Sequence, residues 1–278
     1  MIRLVALDLD GTLLDPYGKL TPAVTRAIAR VAALGSVRLV VCTGRRFRTA
    51  LPHAQALGLT GAIVVNNGAI VKDLDTGETI QHAYLPDSEF DAVIEHVRSH
   101  GPPLVYVDTY RDGIDIFTER ADHAHPFQRE YLDDQGRVVS IVEDVGRMVR
   151  ERVIMVSTMA DAESLTQLQR SAHTRFGDRI QTHSLINKNY QGQILEFLSP
   201  AAGKWSALER LAASWGIAPH EMAAVGDDTN DAMMLSRVGL GIAMGNAVPE
   251  AREAARIVVR GNAEGGVVDA IEHILAAL

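Results

Sequence analysis

Short, largely apolar segments alternate with longer amphipathic ones through the first third of the chain. Leu4–Leu7, Val37–Cys42 and Ala62–Val65 have the length and composition of strands buried on both faces. Between them, Thr21-Pro22 opens a helix that runs to about Leu34, with Thr21 as N-cap and Pro22 in the first turn. Phe47–Leu57 reads as a second helix, closed by Gly58. Strand and helix in strict alternation predict a parallel sheet with right-handed crossovers.

The middle of the chain has a different rhythm. Ile80–Tyr84, Leu104–Asp108, Ile114–Thr118, Val138–Val142, Val153–Thr158 and Ile180–Thr182 read as short strands, and Ser88–His100, Ala121–Leu132 and Ala162–Phe176 as helices. Pro102-Pro103 and Asp133-Asp134-Gln135-Gly136 break the pattern. This mixture suits a mixed sheet covered on one face. From about Gln193 the parallel pattern returns, with strands at Ile194–Leu198, Met222–Val225, Leu240–Met244 and Ile257–Val259, and helices at Lys204–Trp215 and from Gly266 to Leu278. The expected architecture is therefore α/β: a Rossmann-like parallel-sheet core from residues 1–84 and 191–278, with a smaller α/β domain, residues 85–190, inserted between its halves.

Composition narrows the function classes. With 278 residues, 47% hydrophobic and 22% charged, the chain has the makings of a real core. Its net charge of -8 argues against nucleic acid as a partner, which calls for a basic face. No stretch approaches the ~20 apolar residues that span a bilayer, and the N-terminal apolar run is broken at once by Asp8 and Asp10, unlike a secretory leader. The expected setting is the cytoplasm, with no membrane partner. The single cysteine, Cys42, excludes an internal disulfide and reads as a small buried hydrophobe. The ten histidines show no compact zinc spacing. The chain carries no signal for an oligomeric state.

The chemistry gathers where strands end and helices begin. Asp8-Leu9-Asp10-Gly11-Thr12-Leu13-Leu14 leaves the first strand, Thr43-Gly44-Arg45 leaves the second, Lys204 starts a late helix, and Gly226-Asp227-Asp228-Thr229-Asn230-Asp231 leaves a later strand. In a parallel sheet all of these meet at the carboxyl edge, where ligands bind. Singly, each has a structural explanation: Asp and Gly favour turns, and the last segment resembles a calcium loop but lacks the EF-hand glycine and distal Glu. Together they suit phosphoryl transfer. Asp8 is the expected nucleophile. Asp10 is the expected acid, and then base. Thr43 and the Gly44 amide would bind phosphate oxygens, and Lys204 would offset charge on the transferred group. Asp227, with Asp8 and the Asp10 carbonyl, would hold Mg²⁺. Asp231 would lie beside the metal, or orient its water and Lys204. Asn230 would hold its loop or touch phosphate.

These four segments resemble the motifs of the haloacid dehalogenase superfamily. An insertion between the second and third motifs is similar to the α/β cap of its Cof-like branch. Asn66-Asn67-Gly68-Ala69 and the tail from Ala243-Met244-Gly245-Asn246-Ala247 to Asn262-Ala263-Glu264-Gly265-Gly266-Val267 also look Cof-like. The likeness spans essentially the whole chain, with the cap matching in position and layout only. It implies Mg²⁺-dependent phosphatase activity on a sugar phosphate or similar small phosphorylated metabolite, with a cap that chooses the substrate. A phosphomutase using the same phospho-aspartate is the alternative, and a non-catalytic phosphosugar-binding protein the other. Asp228 departs from the branch, which usually has a small residue there; solvent exposure is the favoured reading over a further metal ligand. Arg45 and Asn67, on core loops, are expected to touch substrate. In the cap, the polar candidates are His123, His125, Arg129, Asn187, Lys188 and Asn189.

Overall fold

The apolar segments sort into two sheets. The computed structural model describes residues 1–109, 113–120, 124–187 and 192–278, without the side chains of Ile186 and Asn187. The first part of the chain forms β1 (Leu4–Leu7), α1 (Pro22–Ala32), β2 (Arg38–Cys42), α2 (Phe47–Ala56), β3 (Ala62–Val65), β4 (Ile70–Asp73) and β5 (Thr79–His82). The middle forms α3 (Asp87–Arg98), β6 (Leu104–Val107), β7 (Ile116–Glu119), α4 (Pro126–Gln135), β8 (Val139–Val142), α5 (Val145–Met148), β9 (Val153–Ala160), α6 (Ala162–Phe176), β10 (Gln181–Asn187) and β11 (Gly192–Leu198). The last part forms α7 (Lys204–Ser214), β12 (Met222–Gly226), α8 (Thr229–Arg237), β13 (Leu240–Ala243), α9 (Pro249–Ala254), β14 (Ile257–Val258) and α10 (Gly266–Ala276).

The first sheet has the order β14-β13-β12-β1-β2-β3-β4-β5. It is parallel from β14 to β3 and antiparallel at β4 and β5. β1 lies at its centre, and all four of its residues are fully buried. Leu4 and Ala6 meet Leu208, Leu211 and Ala212 of α7 and Met234 and Leu235 of α8 in one cluster. Val5 and Leu7 point to the opposite face and are equally buried. A strand covered on both faces shows no alternation, which is why β1 reads as a continuous apolar run. Thr21 caps α1 by accepting from the Val24 amide at 3.3 Å, with Pro22 at the first helical position. Cys42 is buried in the same core, and burial pushes its thiol up, out of reach of the thiolate.

The second sheet has the order β10-β11-β9-β6-β7-β8, antiparallel except for the parallel β7–β8 pair. One face carries Val105, Val107, Val156, Leu195 and Phe197, packed against Phe90 and Ile94 of α3 and Leu165 and Leu168 of α6. Among the described residues no helix is long and apolar enough to cross a membrane.

Two expectations need correction. Ile194–Leu198 was expected in the parallel core, but β11 pairs antiparallel with both β9 and β10. Accordingly, Met1–His82 and Gly203–Leu278 form one compact unit and Ala83–Ala202 another, so the insertion extends past the expected residue 190. An apolar run fixes a strand but not its partner, and the long β10–β11 hairpin claims this one. β4 was not expected at all. It is a four-residue strand that reads Ile-Val-Lys-Asp directly after the Asn66–Gly68 turn. It is held by the turn to β5, where Asp73 Oδ1 accepts from the amides of Asp75 (3.0 Å) and Thr76 (2.7 Å).

Phe197 is fully buried in the second core. Phe197→Ala is expected to destabilise the protein by about 3–5 kcal/mol in urea unfolding and to quicken amide exchange in α3 and α6. Quickened exchange in α7 and α8 instead would return β11 to the first sheet.

Candidate active site

Parallel strands deliver their C-terminal ends to one edge. Asp8 follows β1, Thr43 follows β2, Asn66 follows β3 and Asp227 follows β12. The ladder extends one residue past the strands there: the Asp8 amide donates to Val225 O (3.0 Å) and the Thr43 amide to Val64 O (2.9 Å). The positions of Asp8 and Thr43 are thus set by the sheet and not by loops.

Lys204, the first residue of α7, is buried. Its Nζ donates to Asp8 Oδ1 and to Asp231 Oδ1, each at 2.7 Å. The other oxygen of Asp231 accepts from the amides of Asp227 (3.0 Å) and Asp228 (3.1 Å). Asp231 therefore orients both Lys204 and the main chain of the Asp227 loop. Burial pulls the Lys204 ammonium down, but Asp231 and Asp8 outweigh it and keep it charged. Burial, with Asp231 and Asp227 nearby, drives Asp8 well up despite Lys204. Asp227 is pushed up to about 7, mainly by burial, with Asp231 adding to the shift and the Thr12 hydrogen bond opposing it. Asp8, Asp227 and Asp231 each present an oxygen within 4.8 Å of the others. With all three carboxylates ionised against one ammonium, two negative charges would share a confined, oxygen-lined space, which is why two of them are shifted up. That donor set fits a hard divalent cation.

The Asp8–Leu14 segment is wound into one tight turn, with the Leu14 amide donating to Leu9 O at 2.9 Å. Gly11 sits at φ 85°, and a Cβ there would lie 2.0 Å from Asp227 Oδ2. Only glycine allows this approach. Thr12 donates from Oγ1 to Asp227 Oδ1 at 2.8 Å. The Asp10 side chain turns away from the acidic cluster and is 55% exposed. Arg45 grips it with two bonds, Nε to Oδ2 at 2.7 Å and Nη2 to Oδ1 at 2.6 Å. His53, on α2, accepts from Arg45 Nη1 at 3.0 Å, and partial burial with the nearby guanidinium holds its imidazole below the ordinary range.

The other expected residues fall as follows. Thr43 is buried, and its Oγ1 accepts from the Arg45 amide at 3.1 Å. Gly44 lies against Asn67: a Cβ there would be 2.9 Å from Asn67 Oδ1. Asn67 is fully buried at φ 53°, and its Oδ1 accepts from Asn230 Nδ2 at 2.8 Å. These two side chains link the turn after β3 to the first turn of α8. Asp228 stands outside the acidic cluster and caps α8, accepting from the Thr229 amide at 2.7 Å. In the second unit, His125 caps α4 by accepting from the Phe127 amide, and Arg129 Nε donates to Ala124 O at 2.9 Å. His123, Lys188, Asn189 and the side chain of Asn187 lie outside the described residues. Sequence reasoning missed Thr12, His53 and Asn246 as parts of this site. Thr12 was visible in its motif, but its partner Asp227 lies 215 positions away.

A model of haloacid dehalogenase-like hydrolases matches residues 5–271. The HMP-PP phosphatase of Serratia proteamaculans is 30% identical over 250 residues, covering 90% of this chain and 86% of the relative. The pyridoxal phosphate phosphatase YbhA of Escherichia coli K12 is 28% identical over 282 residues, covering 98% of this chain and 99% of the relative. The crystal structure of a haloacid dehalogenase-like hydrolase from Bacteroides thetaiotaomicron superposes with a TM-score of 0.82 at 25% identity, over 99% of this chain and all of that one.

Lys204→Ala leaves Asp8 and Asp231 buried without their counter-charge. The variant is expected to lose about 3–5 kcal/mol of stability in urea unfolding with chelator present. A loss within about 0.5 kcal/mol of zero, the range of a neutral surface change, would show that Lys204 is not needed to hold the cluster.

Proposed function

Because the chain belongs to the haloacid dehalogenase-like hydrolase family, whose curated relatives here are phosphatases, we propose that it is a Mg²⁺-dependent phosphomonoester hydrolase working through a phospho-aspartate on Asp8. The observation that carries this reading is the Lys204 bridge between Asp8 and Asp231, beside Asp227. It holds one oxygen of Asp8 and leaves the other for attack.

In the first step Asp8 attacks phosphorus, the bond from phosphorus to the ester oxygen breaks, and Asp10 gives that oxygen its proton. In the second step Asp10 takes a proton from water, the resulting hydroxide attacks phosphorus, and inorganic phosphate leaves with Asp8 restored. The Asp10 carboxylate lies apart from the buried cluster and is paired with Arg45 through both oxygens, so it has to leave that pair to carry the proton. Thr43 and the Gly44 amide bind the non-bridging oxygens, and Lys204 offsets their charge. Asp8, Asp227 and the Asp10 carbonyl would hold Mg²⁺, with Asp231 orienting the Asp227 loop, and the ion would screen the anionic nucleophile from the anionic phosphate. Arg45 is the residue that touches substrate in this reading; Asn67, also expected to do so, is fully buried. Asn67 and Asn230, bonded to one another, brace the phosphate loop.

The substrate in this proposal is a small phosphorylated metabolite, a sugar phosphate or similar, and the inserted unit selects it. The names of the relatives, one acting on HMP-PP and one on pyridoxal phosphate, extend the range to test toward cofactor-like phosphates. A cytoplasmic setting without nucleic-acid partners belongs to the same reading.

Phosphate release should be measured on sugar phosphates, nucleotides and cofactor phosphates, with Mg²⁺ and with chelator. Mg²⁺-dependent release is expected, and Asp8→Asn should reduce it at least 10³-fold, the scale of losing a catalytic nucleophile. Substantial release by that variant would move the nucleophile elsewhere. Phosphate moved within the substrate, without release, would favour the mutase.

A further inference from the structure

The tail motif around Asn246 takes no part in the chemistry above, yet it closes on the metal carboxylate. The loop after β13 follows the Asp227 loop along its main chain: the Met244 amide donates to Gly226 O at 3.0 Å and the Val248 amide to Asp227 O at 2.9 Å. Between these two bonds, Asn246 Nδ2 donates to Gly11 O at 2.9 Å and to Asp227 Oδ2 at 3.3 Å. Asn246 Oδ1 accepts from the Asn262 amide at 2.9 Å, which fixes which way the side-chain amide faces. Asn262 in turn donates from Nδ2 to Leu14 O at 2.8 Å.

Asp227 is therefore held at both oxygens, Oδ1 by Thr12 and Oδ2 by Asn246. Two bonds from opposite sides fix the plane of a carboxylate that would otherwise rotate about its own side-chain torsions. The same Asn246 amide holds the carbonyl of Gly11, the residue whose missing side chain lets the catalytic turn approach Asp227. One exposed side chain thus ties the turn that carries Asp10 to the strand end that carries Asp227.

We propose that Asn246 is a positioning residue that orients Asp227 for a divalent cation and sets the affinity for it. The inference rests on the metal site proposed above. Partners that orient a ligating carboxylate typically contribute 10–100-fold to metal affinity. Removing Asn246 should therefore weaken binding of the metal and leave turnover at saturating metal nearly intact.

The test is calorimetric titration of the full chain with Mg²⁺, without substrate, beside phosphate-release assays over a Mg²⁺ series. Asn246→Ala is expected to raise the Mg²⁺ Kd roughly 10-fold or more and to change kcat at saturating Mg²⁺ by less than about 3-fold, a shift in metal requirement without loss of transition-state stabilisation. Asn262→Ala removes the bond to Leu14 but keeps the main-chain bond that orients Asn246, so its Kd is expected to stay within about 2-fold of the original, well short of the loss expected for a partner of the ligating carboxylate. An unchanged Kd in Asn246→Ala would overturn the proposal, as would an equal rise in Asn262→Ala, which would make Asn246 a loop brace only. If the unaltered protein binds no Mg²⁺ while releasing phosphate in chelator, the metal site itself fails, and this inference with it. If Mg²⁺ binds and only the Asn246 prediction fails, the metal site stands.

Discussion

The contact on which the rest of the site depends is the buried ammonium of Lys204 between Asp8 and Asp231. A charge placed there has no water to solvate it, so it is tolerable only with opposite charges at hydrogen-bond distance. Those charges must come from separate parts of the chain: the end of β1, the start of α7 and the first turn of α8. Each partner is costly to bury alone. The cluster therefore ties together three elements that sequence separation keeps far apart, and it holds the Asp8 carboxylate in place at the end of β1.

The neighbouring residues divide the work by their surroundings. Asp8 and Asp231 are fixed by the sheet, by Lys204 and by backbone amides. Asp10, one residue beyond Leu9, is more than half exposed and, among the described residues, held by the Arg45 fork. A nucleophile gains from rigidity, since attack needs alignment. An acid–base group must exchange protons and gains from access to water. Two carboxylates from one short turn thereby stand in the different surroundings that the proposed nucleophile and acid–base group need, and Gly11, with no side chain, lets that turn fold against Asp227.

The second unit follows a different packing rule. One face of its sheet is a continuous apolar layer under α3 and α6. On the other face, strand register aligns Glu196 with Ser157, and Ser157 across Leu104 with Thr118. Glu196, Ser157 and Thr118 are all buried there. Polar groups on a covered sheet face are costly, and their presence there sets this sheet apart from the apolar sandwich of the first unit.

Much of the first unit was legible in the sequence because its signals are local. Four-residue apolar runs mark central strands, Thr21-Pro22 marks a helix start, and the carboxylates, Thr43 and Lys204 stand where strands end or helices begin. Parallel topology then brings those ends together without further information. The same segments also carry the groups on which the proposed chemistry rests, the carboxylates of Asp8, Asp227 and Asp231 and the ammonium of Lys204. The partners of individual groups were decided by the tertiary structure alone. β11 has an apolar run that would suit either sheet, and its hairpin with β10 chose. Asn246 and His53 are ordinary polar residues whose roles come from Asp227 and Gly11 on one side and Arg45 on the other. A hydrogen bond between distant residues leaves no periodicity and no local motif in the chain, so only the folded backbone can reveal it.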